Sequence, residues 1–266
     1  MIVYCNGDSF VAGTELADYM LPEYPGCLPF DASETLRQKN REWIGKTYNK
    51  SHEWSTVRHS HRHFIEAEER ARAWPTKLHN LLGCEVINAA LGGSSIDRIA
   101  RTTIADLISL RKKNDSIVAV IGTTGMDRYE VPHDTQPWVD IIPHYQSHSN
   151  TEEIINYKLK YEKDYHLSVN FYKNFILVKD FCEVNNIKLI WLSAASDEAS
   201  CITIEEEYKN EKDLLNLKEY AQLRYSVDMF DIASTCGLAN VFAPSHHFSE
   251  EVHAIVANQL QTIIRA

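Results

Sequence analysis

The chain has 266 residues, 44% of them hydrophobic, and a formal net charge of −10 at pH 7. This length and composition allow a substantial core in one large or two small domains. The acidic balance argues against partners that need a basic surface, so we expect binding neither to nucleic acid nor to an anionic membrane. No segment reaches the roughly 18 apolar residues that a membrane-spanning helix needs.

The cysteines and the N-terminus indicate the compartment. The six cysteines are widely scattered, form no CxxC pair and in several cases lie inside apolar runs. Such cysteines are typical of reduced core residues in a reducing compartment. The chain enters its first apolar run at residue 1 without the basic segment of a signal peptide. We therefore expect a cytoplasmic protein.

Five short apolar runs predict buried parallel strands. They are residues 2–5, 85–88, 116–121, 188–193 and 239–242. Apolar residues at helical spacing predict helices at residues 74–82, 96–110, 171–184, 220–234 and 252–264. The alternation of strands and helices predicts right-handed crossovers and a three-layer α/β/α sandwich around a five-stranded parallel sheet. The sequence has neither repeats nor a low-complexity linker, so we expect residues 1–266 to form one domain.

Two long polar connections interrupt this pattern, at residues 21–72 and 128–165. Connections of such length are uncommon in compact domains unless they form lids or binding loops. They follow the first and third predicted strands, so both should overhang the carboxyl edge of the sheet. We expect these lid-like insertions to determine substrate specificity, with ordinary surface decoration as the alternative.

The sequence offers no pattern typical of a metal or phosphate site. The histidines of the first connection, among them His61 and His63, have no cysteine or paired carboxylate at zinc-site distances. The glycines are too few and wrongly spaced for a phosphate-binding loop. We therefore expect no metal and no other cofactor.

The first predicted strand runs directly into Gly7, Asp8 and Ser9. Glycine permits a tight turn, and a serine just past the carboxyl end of a strand lies where open α/β sheets bind their ligands. Its hydroxyl is a candidate nucleophile if a base can reach it. The alternative interpretation is that Ser9 only caps the following helix. His246 and His247, which precede the last predicted helix, are the candidate bases.

Three segments of the chain resemble signature blocks of the SGNH (GDSL-like) hydrolases. Residues 7–13 are similar to the family's G-D-S-x-x-x-G, and residues 88–93 to its N-x-x-x-x-G. Residues 247–253 are in register with the H-P-S-x-x-G-H that ends its last block. The order of the blocks matches the five predicted strands, so the resemblance covers essentially the whole chain. It implies a flavodoxin-like sheet and the activity of a serine esterase.

The resemblance also implies roles for particular residues. Ser9 is the nucleophile, and its backbone N–H is one donor of the oxyanion hole. The N–H of Gly93 is the second donor, where the absent side chain lets the tetrahedral intermediate approach. His247 is the base, preferred over its neighbour His246 because Ser249 and a second histidine follow it in the family register. Asp8 and His246 are expected to support this site or to bind substrate.

The third block departs from the family pattern. Thr124 stands where the family has the oxyanion asparagine of its G-x-N-D block. A threonine hydroxyl can donate one hydrogen bond, and loss of an oxyanion donor costs about 10²–10³-fold in rate. We expect Thr124 to take part in the oxyanion hole. Arg128 is expected to bind a substrate carboxylate or sugar hydroxyl and Glu130 to orient it, and a structural ion pair between the two is the equal alternative.

The fourth block departs as well, because Pro244 stands where the family has the aspartate that orients the base. The sequence therefore predicts a Ser9–His247 dyad in which a backbone carbonyl replaces the acid. A carboxylate from elsewhere could take its place, and Asp197, beyond the fourth predicted strand, is the candidate.

The implied reaction is hydrolysis of an ester through an acyl-enzyme. The substrate expected is an O-acyl or O-acetyl ester of a carbohydrate or another polar small molecule, since the connections are rich in Tyr, Trp, His and Arg. Two alternatives stay open: an acyltransferase that uses the same site, and a non-catalytic binding or structural protein of the same fold. The variant third block resembles divergent SGNH proteins of bacteriophage genomes, which would make the location a host cytoplasm. Neither the acyl group, the alcohol nor the oligomeric state can be read from the sequence.

Overall fold

The computed structural model describes residues 1–21, 23–48, 60–114, 116–126, 128–131, 139–141, 164–193, 211–244 and 247–266. Its strands are β1 (Ile2–Asn6), β2 (Glu85–Asn88), β3 (Ile117–Gly122), β4 (Tyr129–Val131), β5 (Val139–Ile141), β6 (Lys188–Ser193) and β7 (Val227–Asp228). Its helices are α1 (Ser9–Ala12), α2 (Glu34–Tyr48), α3 (Arg62–Arg72), α4 (Trp74–Leu82), α5 (Ile96–Arg111), α6 (Asp164–Val184), α7 (Lys212–Ala221), α8 (Met229–Thr235) and α9 (Glu250–Arg265). Among the residues described, no helix is long and apolar enough to cross a membrane.

Five strands form one parallel sheet in the order β2-β1-β3-β6-β7. This is the flavodoxin-like strand order, in which the direction of winding reverses between β1 and β3 and leaves a crevice at their carboxyl ends. The predicted fold class is therefore confirmed. Strands β4 and β5, both within the second connection, form a separate two-stranded antiparallel sheet.

Helices cover both faces of the sheet because successive strand residues point to opposite sides. Val3 and Cys5 of β1 are buried in a cluster that includes residues of α4 and α9. Tyr4, between them, is buried on the other face with residues of α5 and α6. Strands that are buried on both faces read as continuous apolar runs, which is why β1 and β3 were predictable.

Two predictions for the last third of the chain were wrong. The helix predicted at residues 220–234 is divided into the end of α7, the short strand β7 and α8. The carboxylate of Asp228 accepts hydrogen bonds from the N–H groups of Phe230 (2.8 Å) and Asp231 (3.0 Å), so it caps α8 and fixes where that helix begins.

The run at residues 239–242 is not the fifth strand of the sheet, since β7 occupies that place. Phe242 instead forms isolated antiparallel bridges with Leu28 and Phe248. The run is apolar because it packs in the core, with Val241 fully buried, and not because it pairs with β6. The bridge to Leu28 joins the chain before His247 to the first connection, and the bridge to Phe248 joins it to the residue after His247.

Candidate active site

The nucleophile candidate Ser9 is the first residue of α1, immediately after the carboxyl end of β1. It is 8% exposed. The residue that caps α1 is Asp8, whose side chain accepts a hydrogen bond from the N–H of Phe10 at 3.1 Å. Asp8, and not Ser9, is therefore the N-cap of α1, so the interpretation of Ser9 as a helix cap is not what the structure shows. As the first residue of a helix, Ser9 carries an N–H without an intrahelical acceptor, which suits an oxyanion donor.

Two glycines allow α1 to lie close to the ends of β1 and β3. A Cβ at Gly7 would lie 2.4 Å from Cγ2 of Val11, and a Cβ at Gly122 would lie 2.3 Å from the same atom. Real side chains do not approach so closely, so both positions need glycine. This packing holds Ser9 at the edge of the sheet.

Residues 88–93, which we call the oxyanion loop, lie beside Ser9. The N–H of Leu91 donates to the carbonyl oxygen of Gly7 at 3.3 Å. A Cβ built on Gly92 would lie 3.7 Å from Cβ of Ser9. Gly93 has a φ of 81°, in the left-handed region that favours glycine. The two predicted donor residues therefore lie on neighbouring segments.

Arg70 of α3 holds the oxyanion loop in place. Its guanidinium donates to the carbonyl oxygens of Asn88 at 2.8 Å and Ala90 at 2.9 Å. A planar guanidinium that binds two carbonyls fixes both position and orientation. The first connection, from which α3 comes, thus supports the predicted site directly.

The base candidate His247 lies near the N-terminus of α9, and its ring contacts Phe10 of α1. The ring centroids of His247 and Phe10 are 4.9 Å apart. Within the residues described, Ser9 and His247 form no direct hydrogen bond. In structures without a bound ligand such catalytic contacts are often long and tighten only in the complex with substrate. The arrangement brings the two residues to the same edge of the sheet.

The carboxylate beside His247 is that of Glu15, which the sequence did not predict. Oε1 of Glu15 lies 3.1 Å from Nδ1 of His247, and Glu15 is 4% exposed. The family pattern directs attention to the residue three positions before the histidine, which here is Pro244. The only available signal was a glutamate shortly after the G-D-S-x-x-x-G block, and it has no motif of its own.

The surroundings of His247 favour its charged form. Burial acts to lower its pKa, but the carboxylate of Glu15 and, more weakly, those of Asp8 and Asp18 outweigh burial and raise the pKa above its usual value. A base that takes a proton from serine becomes an imidazolium, and nearby negative charge stabilises that cation.

Asp8, Thr124 and Arg128 form a largely buried cluster behind Ser9. Oδ2 of Asp8 accepts a hydrogen bond from Oγ1 of Thr124 at 3.0 Å and from Nη1 of Arg128 at 3.2 Å. The same Nη1 donates to Oγ1 of Thr124 at 3.1 Å. Burial raises the pKa of Asp8 above its usual range, although Arg128 opposes this. The cluster therefore neutralises a carboxylate that is 1% exposed.

This cluster bears on the roles predicted for Thr124 and Arg128. A threonine hydroxyl has one proton to donate, and here it is directed at Asp8. The oxyanion role of Thr124 stays a prediction, and it requires that the hydroxyl turn. Arg128 pairs with Asp8, and Glu130 instead binds Arg101 through two hydrogen bonds of 2.6 and 3.0 Å. The alternative of an ion pair between Arg128 and Glu130 is therefore not what the structure shows, and substrate binding by Arg128 stays a prediction.

Two candidate residues, His246 and Asp197, lie outside the described residues, as does most of the second connection. Within the ranges that are described, no group of three or more His, Cys, Asp or Glu side chains could hold a metal ion. Among the described residues, the candidate site thus consists of Ser9, the oxyanion loop, His247 and Glu15, with Asp8 and its partners behind them.

The strand order, the serine that follows β1 and the histidine that precedes the last helix define an SGNH-like α/β/α fold. The chain belongs to the family of unknown function DUF6071, whose profile matches residues 57–261. The family description assigns no activity. No curated protein matches the sequence.

Several solved structures are similar in fold. A putative lipolytic protein of the G-D-S-L family from Desulfitobacterium hafniense DCB-2 is 12% identical, with a TM-score of 0.45 and 98% of each chain covered. A member of the same lipolytic family from Veillonella parvula DSM 2008 is 12% identical, with a TM-score of 0.42 and 100% of each chain covered. A carbohydrate esterase family 2 enzyme from Corynascus thermopiles is 13% identical, with a TM-score of 0.45, covering 99% of this chain and 65% of that one. Likenesses at this level say nothing about the reaction of this chain.

Proposed function

We propose that this protein is a serine esterase that hydrolyses an O-acyl ester, such as an O-acetyl group on a carbohydrate or another polar small molecule. The observation that carries the proposal is the convergence of Ser9, the oxyanion loop and His247 at the carboxyl edge of the sheet. Ser9 opens α1 with its N–H available, Gly92 lies against it, and the His247 ring contacts the neighbouring Phe10.

In the proposed reaction, Oγ of Ser9 attacks the acyl carbon and its proton passes to His247. Because Nδ1 of His247 faces Glu15, Nε2 is the nitrogen that takes this proton. The N–H groups of Ser9 and Gly93 stabilise the oxyanion. Collapse breaks the ester bond, and the leaving alcohol takes the proton from Nε2. Water then attacks the acyl-serine with His247 again as base, which releases the acid and restores Ser9.

The preference for a polar ester rests on the groups around the site. Arg128 is partly exposed, with a side-chain exposure of 23%, and belongs to the cluster that it forms with Asp8 and Thr124. The two connections are rich in histidine, arginine and aromatic residues. Activity on long-chain lipid esters with none on acetylated sugars would overturn this part of the proposal. A bacteriophage origin and a cytoplasmic location stay predictions.

A fluorophosphonate probe tests the proposal, because it reacts with serines that an adjacent base activates. We expect the wild-type protein to be labelled, Ser9→Ala to lose all labelling, and His247→Ala to lose nearly all of it. Ser234→Ala is the matched control, since Ser234 is exposed on α8 and donates to the carbonyl oxygen of Asp231 at 2.9 Å. It should label like the wild type. A folded wild-type protein that is not labelled would overturn the proposal.

A non-catalytic binding protein of the same fold is the second candidate function. It is favoured by two observations: Ser9 and His247 form no direct hydrogen bond within the described residues, and the Thr124 hydroxyl is directed at Asp8. In that case the Ser9→Ala variant would bind the ligand as tightly as the wild type, and neither protein would turn it over. An acyltransferase would label like an esterase and would be distinguished by transfer of the acyl group to an added sugar alcohol in place of water.

A further inference from the structure

We propose that Glu15 is the positioning residue for His247 and replaces the family's aspartate, whose place is taken by Pro244. The inference rests on the proposed esterase function. Oε1 of Glu15 lies 3.1 Å from Nδ1 of His247, an ion-pair distance, and the buried Nδ1 has no aligned hydrogen bond to any other described residue. A carboxylate there fixes the tautomer with the proton on Nδ1 and leaves Nε2 free to accept the proton of Ser9.

The backbone conformation at Glu15 directs its side chain toward His247. Glu15 has a φ of 74°, in the left-handed region, where the backbone of a residue with a side chain is strained. Such a conformation persists only where the surroundings fix it. Here the N–H of Glu15 donates to Oε1 of Glu69 at 2.7 Å, and its carbonyl oxygen accepts from the N–H of Asp18 at 3.0 Å. Both contacts hold the turn that directs the Glu15 side chain inward.

The position in the chain also fits a catalytic arrangement. Glu15 follows Ser9 by six residues, with only α1 and a turn between them. The N–H groups of Gly13 and Thr14 both donate to the carbonyl oxygen of Ser9 at 3.0 Å, which ties the turn to the nucleophile. Nucleophile and acid thus come from one segment, and His247 is brought to them by the loop before α9.

The charged groups that face His247 favour this role for Glu15 over its neighbours. The acidic groups are Glu15, Asp8 and Asp18, and the basic group is His253. Asp8 is already paired with Arg128 at 3.2 Å. Among the carboxylates, Glu15 has the largest effect on the charge of the imidazole, and it contacts the ring nitrogen directly.

The test measures two quantities separately, the pKa of His247 and the rate at which Ser9 reacts with the fluorophosphonate probe. In Glu15→Gln the size of the side chain is kept and the charge is lost, so NMR of ¹⁵N-histidine-labelled protein should show a lower pKa for His247. The rate of labelling by the fluorophosphonate probe should fall by about 10²–10⁴-fold. Glu15→Asp keeps the charge and should retain a raised pKa and part of the rate. Glu23→Gln is the matched control, because Glu23 also has a positive φ, 54°, but its carboxylate faces Lys46 at 3.8 Å.

A His247 that titrates at the same pH in Glu15→Gln and wild type would overturn the proposal, as would an unchanged labelling rate. If Glu15→Gln does not fold, the NMR titration of His247 in the wild type tests the proposal. A pKa at or below about 6.5 would show that no carboxylate raises the pKa of this histidine, and would overturn the proposal. A lower pKa in Glu15→Gln with no labelling of the wild type would support the positioning contact and overturn the esterase. The two failures are therefore distinguishable.

Discussion

Acid should destabilise this protein through His253. This histidine of α9 is 1% exposed, and its Nδ1 accepts a hydrogen bond from the backbone N–H of Trp74 at 3.1 Å. Burial, with help from the charges of Lys77 and His247, lowers the pKa of His253 to about 3. The contact joins α9 to α4, two of the helices that cover one face of the sheet.

The size of the effect follows from the two protonation equilibria. In the unfolded chain a histidine has a pKa of about 6.5, so on acidification the unfolded state binds this proton first. The stabilisation is complete above about pH 6.5 and is lost as the pH falls toward 3. With these values, the free energy of unfolding drops by about 2 kcal/mol between pH 7 and pH 5, and by about 3 kcal/mol at pH 4.

Urea unfolding of the wild type and His253→Asn at pH 7 and pH 5 measures how much of the free energy of unfolding is lost through protonation of His253. Asparagine offers an oxygen close to the position of Nδ1, so it can accept the Trp74 N–H, but it does not titrate. Asp8, His247 and Glu250 also make the free energy of unfolding depend on pH, but their contributions should be the same in both proteins and cancel in the comparison. We expect the wild type to lose about 2 kcal/mol more than the variant over this range. An equal loss in the two proteins would refute the reasoning.

Three further predictions concern the packing around Ser9. Gly122→Ala should cost about 1–3 kcal/mol of unfolding free energy, because its Cβ would lie 2.3 Å from Cγ2 of Val11, and adding Val11→Ala should recover part of the loss in urea unfolding. Arg70→Lys loses the planar guanidinium that binds both carbonyls of the oxyanion loop and should slow fluorophosphonate labelling by up to about 10²-fold. An unchanged labelling rate would show that the loop keeps its conformation without Arg70. Thr124→Val removes a donor to Asp8 and should lower the free energy of unfolding by about 1–3 kcal/mol relative to Thr124→Ser. If Thr124 also serves the oxyanion, labelling of the valine variant falls by about 10²–10³-fold.

The sheet and the turn that carries Ser9 were predictable because local sequence determines them. The strands β1 and β3 are buried on both faces and read as apolar runs, and the chain must turn at Gly7. Ser9 follows from its place after the strand. By contrast, β7 has two residues and pairs only through Val227 and Asp228, too short a segment to show any period.

The support of the site was less predictable because it arises from tertiary contacts. Glu15 and His247 meet only after β1 and the loop before α9 reach the same edge of the sheet. Arg70 reaches the oxyanion loop from a helix in the polar first connection, where the sequence indicated only specificity. An ion pair of Arg128 with its near neighbour Glu130 was one of the two alternatives that the sequence left open, but Arg128 pairs with the buried Asp8, which is distant in sequence.

The central claim is that Ser9 is an activated nucleophile, and intact-mass spectrometry of the fluorophosphonate-treated protein tests it most directly. We predict a single adduct per chain, mapped by peptide sequencing to the segment that contains Ser9 and absent from Ser9→Ala. A folded wild-type protein without an adduct, or an adduct on another serine that persists in Ser9→Ala, would contradict the account.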